Sequence, residues 1–155
     1  MEMEVEFSNG EDTTNSGNQP MQLTGSQPPN AKILIGSEKT ITKVRLGTYC
    51  WTAEGQSRCV DSIGPVELLK DTTPIKVKPS TEITFIMDYR PQPNKVHVTQ
   101  IVDGTHTEVQ VQDHTFQLPQ QQGIYYYSYG VWWMDTEKEN VAHGDAFYYF
   151  VLEVV

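Results

Sequence analysis

The sequence predicts an all-β domain, an antiparallel immunoglobulin-like β-sandwich of about seven to nine strands behind a disordered N-terminal tail. Three observations lead there. No apolar stripe with a helical period runs for a useful length, whereas short segments rich in β-branched and aromatic residues recur between turn formers. Ten of the sixteen Phe, Trp and Tyr residues lie in the last thirty-one positions, in Tyr125-Tyr-Tyr-Ser-Tyr-Gly-Val-Trp-Trp-Met134 and Ala146-Phe-Tyr-Tyr-Phe-Val-Leu-Glu-Val-Val155. Residues 1–30, in contrast, contain Glu2, Glu4, Glu6, Glu11 and Asp12 and no Lys or Arg, so they hold −5 of the formal charge of −9.

Residues 1–30 offer too little apolar surface to offset the entropy of ordering and read as a disordered acidic tail or stalk. The folding unit is then 31–155, long enough for one domain with a core. Residues 31–35 and 40–51 favour strands, with Gly36-Ser37 as the break. A hairpin follows, turning at Glu54-Gly55. Ser62-Ile-Gly-Pro65 interrupts the pattern, and 66–70 suits a short helical turn or an edge strand. Residues 73–78 end at Pro79-Ser80, and 81–89 alternate, with Ile83, Phe85, Met87 and Tyr89 on one side. Arg90-Pro-Gln-Pro-Asn94 is loop, because its prolines lack the donors that a ladder needs. Strands resume at 95–102 and 107–112 around Asp103-Gly104, then at 114–118. The two aromatic stretches close the domain as a strand pair. Both are apolar at nearly every position, so their second face is either covered by the protein itself or open to a partner.

Charge and composition exclude several classes. A chain this acidic has no basic stripe to gather phosphates, so nucleic-acid binding is not expected, and electrostatic docking on anionic lipid is disfavoured for the same reason. No segment approaches the roughly 20 apolar residues that span a bilayer. No basic region followed by an apolar run precedes the domain, so no secretory signal is read here.

Cys50 and Cys59 give the compartment. Counting back from Glu54-Gly55 pairs Ala53 with Gln56, Thr52 with Ser57, Trp51 with Arg58 and Cys50 with Cys59. Alternation makes the cysteine pair a non-hydrogen-bonded site, whose Cα atoms lie about 4.5 Å apart, close enough for a disulfide. Such a bridge places the chain outside a reducing cytosol. The plain alternative is two buried free thiols. Zinc is not expected, because four ligands at paired spacings are missing and His97, His106, His114 and His143 form no such pair. No metal or cofactor is implied.

Leu46-Gly-Thr-Tyr-Cys-Trp51, Cys59-Val-Asp61, Gly64-Pro65, Glu67-Leu-Leu69 and Lys76-Val-Lys-Pro79, together with the aromatic C-terminal pair, resemble a set of uncharacterised extracytoplasmic proteins of Gram-positive bacteria, many of them lipoprotein-like. The resemblance covers most of residues 40–155. It implies a folded β-domain at the cell surface, a flexible stalk and a lipid anchor, but no known activity and no catalytic residue. The lipid-bearing cysteine is not in this chain. A stalk of thirty residues would reach about 30 Å.

Trp51, Arg58, Trp132 and Trp133 are the candidate binding residues, since Trp and Arg carry much of the energy at interfaces. Trp51 opposite Arg58 permits a cation–π contact. The competing reading is that the rings fill the core and that Arg58 shields Trp51. Trp132 and Trp133 point to opposite faces of one strand, so at most one enters the core. An exposed ring would suit a sugar, a peptide or another protein, with Asp135, Glu137, Asn140 and Asp145 nearby in sequence. Asp61, Asp135, His143 and Asp145 could alternatively assemble as an acid–base or calcium site, although turn formation explains them as well. No nucleophile elbow or phosphate loop is present. The expected function is therefore extracytoplasmic binding of an unidentified protein or cell-wall ligand rather than enzymatic activity, with binding or processing of cell-wall glycan as the alternative.

Overall fold

The computed structural model describes residues 21–37 and 40–155. Its elements, in chain order, are β1 (Lys32–Ile35), β2 (Thr40–Lys43), β3 (Arg45–Ala53), β4 (Gln56–Val60), α1 (Pro65–Leu68), β5 (Ile75–Val77), β6 (Glu82–Ile86), β7 (Lys95–Val102), β8 (Thr105–Val109), β9 (Thr115–Gln117), β10 (Gly123–Met134) and β11 (Ala142–Val154). One sheet runs β9-β6-β1-β2, and the other runs β4-β3-β11-β10-β7-β8 with β5 added beside β11. The all-β antiparallel sandwich is therefore present. The short β2, β5 and β9 bring the described strands to eleven, and β5 is parallel to β11.

Alternation builds the core. On β10, Tyr125, Tyr127, Tyr129, Val131 and Trp133 are buried, and they pair in register with Leu152, Phe150, Tyr148, Ala146 and Gly144 of β11. From the smaller sheet, the Phe85 ring stacks on Tyr129 at 4.1 Å between centroids and 5° between planes, with Tyr148 5.4 Å away. Burial raises the pKa values of Tyr127, Tyr129 and Tyr148 well beyond the ordinary phenol range, so each hydroxyl stays neutral and bonds inside the fold. Tyr127 donates to Gln100 Oε1 at 2.9 Å and Tyr148 to the Pro29 carbonyl at 2.6 Å.

Two sequence expectations are corrected. The single strand over 40–51 is divided at Val44, whose amide donates to Ala31 O, so β2 joins the smaller sheet and β3 the larger. The chain switches sheets without a Gly or Pro to mark the bend. The expected disordered segment 1–30 also ends too late. Residues 1–20 lie outside the described residues, but 21–30 dock on the domain: Leu23 is only 4% exposed, and the Trp51 indole donates to Gly25 O at 3.0 Å. Tyr89 Oη further donates to Thr24 O and accepts from its amide. A few apolar and backbone contacts hold a segment that its composition marks as polar. Lesser shifts are confined to boundaries: of the helical turn or edge strand expected at 66–70, the helical turn forms, as α1 at Pro65–Leu68, and the strand expected at 107–112 is β8, beginning directly after the Asp103-Gly104 turn.

Candidate functional site

The sulfurs of Cys50 and Cys59 are bonded, and their Cα atoms are 4.1 Å apart. The hairpin around them has the counted register, Cys50 with Cys59, Trp51 with Arg58, Thr52 with Ser57 and Ala53 with Gln56. The turn residues Glu54 and Gly55 both take positive φ, 52° and 80°, as a two-residue turn of this kind requires.

Across the outer face of the larger sheet, register then carries one row through five strands. Cys59 sits opposite Cys50, Cys50 opposite Asp145, Asp145 opposite Trp132, and Trp132 opposite Lys95. The disulfide hairpin and the aromatic pair thus share one surface. Trp132 is part-buried, its ring nearly perpendicular to that of Phe147, with centroids 5.4 Å apart and 83° between planes, and Lys95 Nζ lies over it, 5.5 Å from its centroid. Phe147 can lie there because Gly130 leaves the space: a Cβ at Gly130 would come within 2.7 Å of its ring. Asp145 accepts from the Cys50 amide at 3.1 Å. Burial pushes its carboxyl above the ordinary aspartate range, and that hydrogen bond opposes the shift.

The other tryptophans belong to the core. Trp133 is fully buried and Trp51 is 2% exposed, their rings meet edge-on at 5.0 Å, and Tyr89 closes on both at 5.9 Å. The Trp133 indole donates to Pro91 O at 2.7 Å. Arg58 faces Trp51 in register but sits exposed on the edge strand β4, and the cation–π contact among the described residues is that of Lys95 with Trp132. Of the four candidates, only Trp132 therefore offers an aromatic ring at the surface.

The outer face of the final strands is covered in part by the protein itself. Leu69, 4% exposed, packs after α1 on Tyr149 and Val151, with Leu68, Tyr126 and Phe147 around them. This cover explains the apolar outer residues near Val151, and the Trp132 row lies beside it. Lys95 and Phe147 were not foreseen as neighbours of Trp132. Lys95 reaches it only through the pairing of β7 with β10, which nothing in either segment announces.

Asp135 and His143 come together at the loop joining β10 and β11. His143 Nε2 and Asp135 Oδ1 are 2.7 Å apart, and a carboxylate only accepts, so Nε2 carries the proton. Asp135 Oδ2 receives the amides of Lys138 at 2.7 Å and Glu137 at 3.0 Å. The His143 hydrogen bond, followed by those two amides, holds the Asp135 carboxyl down at about 2. A lowered folded-state pKa contributes stability that is present above the ordinary value and lost as pH falls through the folded one. The loop is thus expected to loosen between the ordinary value of 3.8 and about 2. An NMR titration should show Asp135 moving up toward the ordinary value in His143→Ala; an unmoved Asp135 would refute the assignment.

Neither Asp61 nor Asp145 hydrogen-bonds to this pair among the described residues. Asp61 follows β4, and Asp145 is held by Cys50. Among the described residues, no group of three His, Cys, Asp or Glu side chains gathers as a metal site would need.

No protein-family model, no curated protein and no solved structure matches this chain.

Proposed function

We propose that this protein is an extracytoplasmic binding domain that receives its ligand on the outer face of the larger sheet, around Trp132. The observation that carries this reading is the surface row itself. An indole ring lies between an ammonium on one strand and a half-buried carboxylate on the other, next to Phe147. Ring faces bind apolar surfaces, and the flanking charges fix orientation, a combination common to binding sites. The Cys50–Cys59 bridge is consistent with an oxidising compartment and supports the extracytoplasmic assignment. Attachment at a Gram-positive cell surface through a lipid anchor belongs to the same proposal and rests on the resemblance alone.

Within this reading, cell-wall glycan is the ligand to test first, because Trp132 with Asp145 supplies a stacking face and an acceptor for hydroxyls. Glycan processing has less support, since no hydrogen bond joins Asp61 or Asp145 to the Asp135–His143 pair among the described residues.

The test is a pull-down on purified peptidoglycan and on intact cell walls, comparing the wild type with Trp132→Ala and Asp145→Asn. Trp132→Ala should fold, losing about 1 kcal/mol from its aromatic contact, and should lose most of its retention. Undiminished retention of a folded Trp132→Ala protein would remove this face as the binding surface. Retention of neither the wild type nor the variant would remove the cell-wall ligand.

A further inference from the structure

A second surface feature is a groove of about 350 Å³ on the other side of β11 from β10, lined by Lys43, Arg45, Leu69, Thr73, Ile75 and Val151 among others. Strand pairing creates it. Along this edge β11 pairs with β3 as far as Tyr149 opposite Arg45, and with β5 only from Leu152 opposite Ile75. Among the described residues Phe150 and Val151 therefore have no register partner on that side, and the sheet has a notch there. Leu69, Ile75 and Val151 supply apolar wall, and the crossover from β2 to β3 brings Lys43 and Arg45 to the same opening.

The charge at this opening is unusual for the chain. Lys43 and Arg45 are both exposed, and Lys32 lies directly opposite Lys43 in the β1–β2 register. Like charges placed directly opposite destabilise a strand pair. No acidic residue lines the groove among the described residues, in a protein whose formal charge is −9. An anion at the mouth would relieve that repulsion, and an apolar body behind it would occupy the notch.

We infer that this groove binds a small amphipathic carboxylate, its anionic head at Lys43 and Arg45 and its apolar body on Leu69, Ile75 and Val151. The site is separate from the Trp132 row and does not depend on it. Arg presents paired donors to a carboxylate, and Lys adds a point charge.

The experiment uses the full chain and octanoate, with octanol and octylammonium as neutral and cationic probes. Backbone amide spectra recorded during titration should show octanoate shifting Ile75 and Val151, with affinity well above that of either control. Lys43→Gln and Arg45→Gln should each weaken octanoate about tenfold, because each removes a charge-assisted contact from an exposed position. Thr73→Trp, which fills the notch, should abolish binding, and Lys138→Gln in the β10–β11 loop should leave it unchanged. Should the wild-type spectra show no shift at Ile75 and Val151, the inference is overturned whatever the variants do. Equal binding of octanol, or of octylammonium, would overturn the role assigned to the two cations and the inference with it.

Discussion

Trp133→Ala is expected to lower the unfolding free energy by about 3–5 kcal/mol, the range for removing a fully buried aromatic side chain. Trp133 has no exposed surface, and it joins Trp51 and Tyr89 in a three-ring cluster that ties β10 to β3 and to the segment after β6. Its indole also satisfies Pro91 O, so truncation leaves a cavity and an acceptor without its donor. Urea unfolding of Trp133→Ala beside Trp132→Ala measures the contrast between faces of one strand. The neighbouring substitution should cost only about 1 kcal/mol. Equal losses would mean that the two rings are not divided between core and surface.

Breaking the Cys50–Cys59 bridge, by reduction or by paired Ala substitution, is expected to cost about 2–3 kcal/mol. The nine-residue separation makes a short loop, so the gain from restraining the unfolded chain lies at the low end for disulfides. Its local consequence should be larger than its global one. Among the described residues β4 pairs with β3 alone, and four of its five residues are exposed, so few other contacts there hold it in place. Hydrogen exchange after reduction should accelerate at β4 amides, while β10 and β11 keep their protection. A urea midpoint unchanged by reductant would show that the bridge restrains nothing the strand pair does not already hold.

These two cases mark where the sequence was legible. The hairpin at Glu54-Gly55 could be counted residue by residue because the turn demands positive φ at two positions, and the cysteine register follows from it. Asp103-Gly104 worked for the same reason, with φ values of 48° and 76°. The opposite orientation of Trp132 and Trp133 needed only alternation. Which of them would be buried depended on where the smaller sheet lies, and no local signal contains that. The switch between sheets at Val44 is hidden within continuous β-formers. Residues 21–30 read as tail because the composition of 1–30 offers little apolar surface, whereas the burial of Leu23 beside Trp51 and Gly144 is a tertiary event. Likewise, Lys95 and Trp132 become neighbours only when distant segments pair, and short strands such as β5 leave too few residues for any period to emerge.

β11 lies at the centre of the larger sheet, yet it follows in sequence every strand that it joins. The Cys50 amide meets Asp145 across 95 residues of chain, and β5 must likewise wait for the far end of β11. During synthesis the hairpins β3–β4 and β7–β8 can close early, but they remain separate halves with one flank open until β11 arrives between β3 and β10. Assembly should accordingly be slow for a domain of this size, on the millisecond-to-second scale typical of nonlocal β topologies. Until β11 is in place, each half keeps an unpaired strand edge where β11 will join it.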